Sequence, residues 1–510
     1  MTEGTAVLRL SGITKRFGSL VANDSVSLEV AKGEVVALLG ENGAGKTTLM
    51  NILFGHYVAD AGTVEAFGDA LPPGDPRAAL DAGIGMVHQH FTLADNMTVV
   101  ENIVLGTQKL LALRLRRRDA RQRIRELSAR FGLAIDPGAT VGSLSVGERQ
   151  RVEILKALFR DARVLILDEP TAVLTPAETD ALFATLKLLV SDGLSVIFIS
   201  HKLNEVMAVS DRVLVLRGGR LAGARTTSET TRRELAALMV GREVVSPAVP
   251  PAVTGPPLLI LENVSTRRRP GGPPLDRVTL TLRGGEITGL AGVSGNGQSA
   301  LAGLLSGTEQ PLSGSMTVQA SEVGEWSPRL ALASGIGRIP EDRQAIGTIG
   351  DMSVTENVIS ERHASPRFSR RGLLDWKEAR RFAEAIIADY QVKCPSPEAR
   401  VRLLSGGNIQ KLILGRALDP QPSIILANQP TRGLDVGAVA YVHGRLLEAR
   451  ARGAAILLVS EDLEEILSLS DRLLVISKGR LSVPSSRGER TIRDIGELMA
   501  GHAEAPPHAA

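Results

Sequence analysis

Gly33-Glu-Val-Val-Ala-Leu-Leu39 runs straight into Gly40-Glu-Asn-Gly-Ala-Gly-Lys46-Thr47. The apolar run reads as a strand buried on both faces, and the stretch from Gly40 to Thr47 fits G-x-x-x-x-G-K-[ST] ahead of a helical run, Thr48 to Phe54. In that strand, loop and helix order each residue type has a task. Backbone N–H groups of Gly40, Glu41, Asn42, Gly43, Ala44 and Gly45 can wrap phosphate because the glycines let the chain turn tightly, and the helix N-terminus adds its dipole. Lys46 reaches the β and γ oxygens, Thr47 is placed for Mg²⁺, and Thr48 completes the cradle.

The acid that holds the metal is expected at the end of a later apolar strand, and Val164-Leu-Ile-Leu-Asp168-Glu169 supplies it in Asp168. Glu169 is positioned to polarise the attacking water, a general-base role worth roughly 10²- to 10⁴-fold. Taken alone, Asp-Glu-Pro after a strand reads as well as a helix N-cap. Behind a phosphate loop the catalytic reading prevails. Leu194 to Ile199 is a further buried apolar run, and short β-branched runs alternate with helical patterns throughout. That alternation predicts an α/β chain with doubly wound, mostly parallel sheets, and the charged pattern from Glu101 to Thr140 predicts a helical subdomain.

The frame occurs twice. Gly40 to Gly45 returns as Gly292-Val-Ser-Gly-Asn-Gly297, Leu144-Ser-Val-Gly147 as Leu404-Ser-Gly-Gly407, Pro170-Thr171 as Pro430-Thr431 and Asp211-Arg212 as Asp471-Arg472, with eight extra residues in the second copy between Glu341 and Ser405. So long a period means a duplicated domain. We place the first domain at 5–245, a Pro-rich linker at 246–257, the second domain at 258–503 and a frayed tail at 504–510. The length of 510 residues requires two domains in any case. A single cysteine, Cys394, excludes disulfide frameworks, four-Cys zinc sites and cysteine-held clusters. A net charge of +3 is too small to nominate nucleic acid as a partner. The amino end lacks the pattern of a signal peptide, so the chain is expected to stay in the cytoplasm and to need other subunits to reach across a membrane.

Ser143-Leu-Ser145-Val-Gly147-Glu148 reads first as a capping box, Ser145 with Glu148, but the second copy, Leu404-Ser405-Gly406-Gly407-Asn408, lacks the Glu, so capping does not explain what is shared. With the phosphate loop and the Asp-Glu pair in this order, the chain resembles the ATP-binding cassette family, whose signature is Leu-Ser-Gly-Gly-Gln. The resemblance covers nearly the whole chain, twice. It implies two tandem P-loop NTPase domains, each with a mostly parallel sheet, an antiparallel β part and a helical subdomain. It also implies an aromatic stacking on adenine at Phe17, a loop glutamine linking ATP and Mg²⁺ to the membrane subunit at Gln89, and a switch histidine at His201. In this family two cassettes meet head to tail within one pseudo-symmetric unit. The live ATP site would then join Lys46, Asp168, Glu169 and His201 to Ser405, Gly406, Gly407 and Asp435. The second copy loses the chemistry: Lys46 corresponds to Gln298, Asp168 to Asn428, Glu169 to Gln429, Gln89 to Glu341, His201 to Glu461 and Phe17 to Arg269. Hydrolysis at that site is expected to fail.

Two classes of work remain. One is the ATPase of a bacterial import system, lying on the cytoplasmic face of the membrane against two integral permease subunits and served indirectly by a substrate-binding lipoprotein. The other is a soluble tandem cassette acting on ribosomes or DNA. Ribosome-associated relatives keep both sites and carry a long charged linker; DNA-repair relatives need zinc cysteines. The run Arg114-Leu-Arg116-Arg117-Arg118, with Arg121, Arg123 and Arg125, reads as a solvated helix face, the alternative being a contact with phosphates of lipid or RNA; nucleic acid is not taken as a partner. His88-Gln-His-Phe91, Pro340-Glu-Asp-Arg343 and Gln429-Pro-Thr-Arg-Gly-Leu-Asp435 resemble the fused double-cassette ATPases of simple-sugar importers. Gln298 with Asn428 and Gln429 resembles the nucleoside-importing branch, the alternative being a sugar such as ribose or galactose.

Overall fold

A computed structural model describes residues 6–18, 20–88, 91–107, 117–171, 174, 176–200, 202–241, 249–268, 272–293 and 295–499. The chain divides into two compact units, Met1–Val244 and Val245–Ala510. Of the stretch read as a linker, residues 249–257 are bonded to the second unit: Arg450 Nη2 donates to Pro250 O at 2.9 Å, and Gly255 N to Gly284 O at 2.7 Å.

In the first unit the strands Val35–Gly40, Val164–Asp168 and Ser195–Ile199 are buried at every position, as continuous apolar runs require when helices cover both faces. They lie in a six-stranded sheet in the order Arg220–Thr226, Arg212–Arg217, Val35–Gly40, Ser195–Ile199, Val164–Asp168, Ile84–Val87. Only the Arg220–Thr226 edge strand runs antiparallel. A separate antiparallel sheet is built from Leu20–Ala31, Ala6–Phe17, Ala61–Ala66 and Asp69–Ala70. Leu8, Leu10 and Ile13 of that sheet share one core with Leu38, Ile166 and Ile199 of the parallel sheet and with Leu49, Met50 and Leu53 of the helix Lys46–Leu53. This shared core fixes the phosphate-loop helix between the two sheets.

The second unit repeats the plan. Its sheet runs Ile336–Ile339, Ile424–Asn428, Ala455–Ser460, Ile287–Ala291, Arg472–Ser477, Arg480–Leu481. A two-stranded hairpin, Ser369–Arg370 with Leu373–Leu374, lies inside the stretch that carries the extra residues.

The helical part of the first unit comprises Val99–Val104, Arg117–Phe131 and Val146–Phe159. In Arg117–Phe131 the side chains of Ala120 and Ile124 are buried, whereas Arg118, Arg121 and Arg125 face solvent. Among the described residues no helix is long and apolar enough to cross a membrane. One buried amide holds the approach to this subdomain in each unit. Asn102 accepts from Ala94 N at 2.8 Å and donates to the carbonyls of Ala94 and Thr98 at 3.1 Å each. Asn357 does the same with Ile349 N, Ile349 O and Ser353 O. Asn102→Ala would take its partner from Ala94 N, while Ala94 O and Thr98 O would still accept from Met97 N and Asn102 N. It is expected to lower the unfolding free energy of the first unit by about 1 to 3 kcal/mol, measured by denaturant unfolding of the full chain.

Candidate functional site

Strand register brings the sequence-distant parts together. Leu38 pairs with Ile199, and Asp168 pairs with Ile199, so Gly40, Asp168 and Ser200 leave the sheet at one level of its carboxyl edge. Ligands of doubly wound sheets bind at that edge. The loop after Gly40 turns through Gly43 and Gly45, with φ of 83° and 100°. A Cβ on Gly45 would stand 2.2 Å from Ala22 O, so only glycine fits there. No side chain caps the helix Lys46–Leu53, and the positive end of its dipole favours an anion there. Lys46 is buried and folds back on its own loop, Nζ donating to Gly40 O at 2.7 Å and Glu41 O at 3.1 Å. Thr47 is exposed beside it.

Asp168 ends its strand buried, and Glu169 follows in a left-handed conformation with φ of 48°. Strained non-glycine turns are held at functional sites by their surroundings. Here Glu169 N donates to Ile199 O at 2.9 Å, and Gln150 Nε2 of the helix Val146–Phe159 donates to Pro170 O at 2.8 Å. Burial pushes the Asp168 carboxyl up from 3.8 to about 6; the charge of Glu169 adds to the rise and Lys46 opposes it. Asp168 and Glu169 are two adjoining acids, and the exposed Thr47 hydroxyl follows the phosphate loop at the same edge of the sheet; oxygen groups of this kind are those that hard cations take.

Phe17 is exposed at the end of the antiparallel sheet, edge-on to Tyr57 at 5.7 Å between ring centroids, with Lys15 Nζ 5.4 Å above its ring. The strand behind it is tied to the phosphate loop by Asn23 Nδ2, which donates to Gly45 O at 3.2 Å. Gln89, His201 and Arg269 lie outside the described residues. The chain just past Gln89 is held by Glu153, whose Oε1 accepts from Thr92 N at 2.7 Å and Thr92 Oγ1 at 2.9 Å. Tyr57, Asn23, Gln150 and Glu153 carry no motif of their own. Their only sequence signal is position within the duplicated frame, which Gln410 repeats for Gln150 by donating to Pro430 O at 2.7 Å.

The second unit keeps the backbone and changes the chemistry. Gln298 Nε2 donates to Val293 O at 2.8 Å, matching Lys46 to Glu41, while its Oε1 accepts from the loop's own Asn296 N at 3.0 Å. Gln429 repeats the left-handed turn with φ of 50° and its N donates to Val459 O at 2.8 Å. The signatures differ too. Ser145 forms the full capping box with Glu148, its hydroxyl taken by the Glu148 N–H. Ser405 caps nothing; Asn408 Nδ2 donates to its hydroxyl at 2.8 Å. Asp435 caps the helix Val436–Ala451 through Ala438 N at 2.8 Å. Arg343 donates to Arg432 O at 2.7 Å beside Gly406, bracing the loop that leads to Asp435.

The unfolded chain releases the Asp168 proton near pH 4 and the folded chain near pH 6. Ionisation therefore erodes stability as pH rises through that window, and the full cost of roughly 3 kcal/mol stands above it. In the nucleotide- and metal-free chain, Asp168→Asn is expected to stabilise by up to about that amount at pH 8, by less at pH 6 and not at all below about pH 4. Denaturant titrations at the three pH values measure the difference.

The ABC transporter family model matches residues 23–172 and 275–432, one match in each unit. The chain is 44% identical to the guanosine import ATP-binding protein NupO of Bacillus subtilis over 499 residues, covering 98% of each. It is 43% identical to the glucose import ATP-binding protein TsgD13 of Haloferax volcanii over 529 residues, covering 98% of this chain and 96% of the relative. The fold of the whole chain is similar to that of the solved complex of archaeal ribosomal stalk protein aP1 and the ribosome recycling factor aABCE1, with a TM-score of 0.64, 20% identity and coverage of 96% and 92%. Family match and full-length relatives agree with the two phosphate loops described above: the chain belongs to the ABC transporter family, as an ATP-binding and ATP-hydrolysing tandem double cassette of the sugar and nucleoside import type.

Proposed function

We propose that the chain is the ATPase subunit of an ABC importer, coupling ATP hydrolysis at one composite site to uptake of a nucleoside. It would lie on the cytoplasmic face of the membrane, against two permease subunits and fed by a substrate-binding protein. One observation carries the single-site reading: on the same backbone, Lys46, Asp168 and Glu169 of the first unit correspond to Gln298, Asn428 and Gln429 of the second.

In this reading Thr47, Asp168 and Gln89 hold Mg²⁺, which when bound neutralises charge building on the phosphates. Lys46 exchanges its bonds to Gly40 O and Glu41 O for phosphate oxygens, and the N–H groups of residues 40 to 48 take the rest. Phe17 stacks on the base. Glu169 accepts the proton of the attacking water, and His201 contacts the transferred group. From the opposite cassette Ser405, Gly406, Gly407 and Asp435 close the site. The freedom of Ser405 from helix capping supports its use there, and the locked Ser145 supports a lesser part for the first signature.

A sugar is the second reading for the solute, favoured by the glucose import relative. The nucleoside reading leans on the amide set Gln298, Asn428 and Gln429 and on the guanosine import relative. Cells lacking the gene are expected to lose uptake of radiolabelled guanosine, uridine or adenosine; intact nucleoside uptake with lost glucose, ribose or galactose uptake assigns the sugar instead.

Glu169→Gln is expected to slow phosphate release at least tenfold while MgATP still binds. In the assembled transporter Ser405→Ala should cost about 10²- to 10³-fold, as for other donors to a developing oxyanion, and Ser145→Ala should keep most of the turnover. Equal damage from the two serines would undo the crosswise pairing, unless the Gln298 site is then found emptied of nucleotide.

A further inference from the structure

We infer that Glu205 is a positioning residue for hydrolysis, clamping the turn that carries Glu169 to the strand end that leads into His201; the inference rests on the roles proposed above for those two residues. Glu205 lies in the short helix Leu203–Val209 and is 8% exposed. Its Oε2 accepts the hydroxyl of Thr171 at 2.5 Å and that of Ser200 at 2.9 Å. Its Oε1 meets Lys202 Nζ at 3.2 Å. Thr171 stands two residues after Glu169, while Ser200 and Lys202 flank position 201 in the chain. Lys202 N also donates to Ser200 Oγ at 3.0 Å, tightening the same segment. A carboxylate taken out of water needs partners, and hydroxyl donors to an ionised oxygen make short, strong bonds. Among the described residues, each side-chain partner of this one lies within two residues of a proposed catalytic position.

The second unit supplies an internal comparison. Glu465 occupies the matching place in the helix Leu463–Leu469 and is also buried, and Thr431 and Ser460 match Thr171 and Ser200. Yet Glu465 Oε1 pairs with His443 Nε2 at 2.9 Å, and its Oε2 has no hydrogen-bond partner. The Ser460 hydroxyl accepts from Asp462 N at 3.1 Å, as Ser200 does from Lys202 N, but among the described residues it makes no bond to Glu465 matching that of Ser200 to Glu205. All three clamp residues survive in the copy that has Gln429 in place of the base, but the clamp itself is undone. A demand of the fold alone would apply to both copies. The clamp is kept where a water has to be held in line with a base and a switch residue, a geometry whose loss by about an ångström costs on the order of 10²-fold in rate.

Phosphate release and MgATP binding are measured on the purified full chain carrying Glu205→Ala, Glu205→Gln, Thr171→Val, Glu465→Gln or Glu169→Gln. Glu205→Ala is expected to lower kcat by roughly 30- to 100-fold with KM for ATP within about twofold. Glu205→Gln keeps one oxygen that can accept both hydroxyls and should recover most of that loss. Thr171→Val removes one donor at nearly constant shape, so it stays folded if Glu205→Ala does not, and should lower kcat about threefold or more at an unchanged unfolding midpoint. Glu465→Gln should remain within about twofold of the parent chain. Wild-type kcat in Glu205→Ala or in folded Thr171→Val overturns the inference, as does a loss of turnover matched by loss of ATP binding or of the unfolding midpoint. If Glu169→Gln turns over normally, the base assignment falls and the inference with it. If Glu169→Gln is inactive while Thr171→Val and Glu205→Ala are not, the clamp alone is refuted.

Discussion

Everything at this site depends on where parallel strands end. Hydrogen bonding between Val35–Gly40, Ser195–Ile199 and Val164–Asp168 sets Leu38, Ile199 and Asp168 in one row, so three segments that are distant in sequence leave the sheet side by side. The side chains of those strands are wholly buried, and shifting any strand by one residue would exchange its two packed faces. Packing thus fixes to within a fraction of a residue where the phosphate loop begins and where the two acids stand. The left-handed turn at Glu169 then aims the second acid, anchored to the neighbouring strand through Ile199 O.

Charge is what this scaffold holds against its own preference. Burial and the neighbouring Glu169 keep Asp168 from ionising at its ordinary pH, and Lys46 satisfies itself on loop carbonyls. Each arrangement is one that a polyphosphate with its counter-cation would relieve: the lysine gains anionic partners and the acids a cation. Affinity at such a site draws on strain already present in the empty protein.

The sequence made the strand, loop and helix around Lys46 readable, because a phosphate loop is a contiguous motif whose residue types answer to one chemistry. The duplication was equally plain, since it repeats the same types at a fixed spacing. The supports were not. Asn23, Gln150 and Glu153 act by contacting chain 20 to 60 residues away, and nothing local to them distinguishes such a polar residue from a solvated one. Ser145 and Ser405 look equivalent as letters, and only the coordinates separate a hydroxyl spent on helix capping from one held by a side-chain amide. The residues read as a linker show the converse: composition marked them as Pro-rich, but Arg450, far along the chain, bonds Pro250 to the second unit.

The second unit shows the same backbone with the charges of the first site removed. Lys46, Asp168 and Glu169 are replaced by Gln298, Asn428 and Gln429, in each case an amide of similar length. Asn428 is as buried as Asp168, and Gln298 sits as deep as Lys46 to within two per cent of exposure. An amide retains hydrogen bonds that the backbone frame needs, as Gln298 does with Val293 O and Asn296 N, without the desolvation cost of a buried charge. The substitutions therefore move in the direction that favours the empty fold. In the first unit the same positions stay ionisable at a cost of roughly 3 kcal/mol for Asp168 alone, and a stability cost of that size at a single position is what a retained catalytic function would maintain.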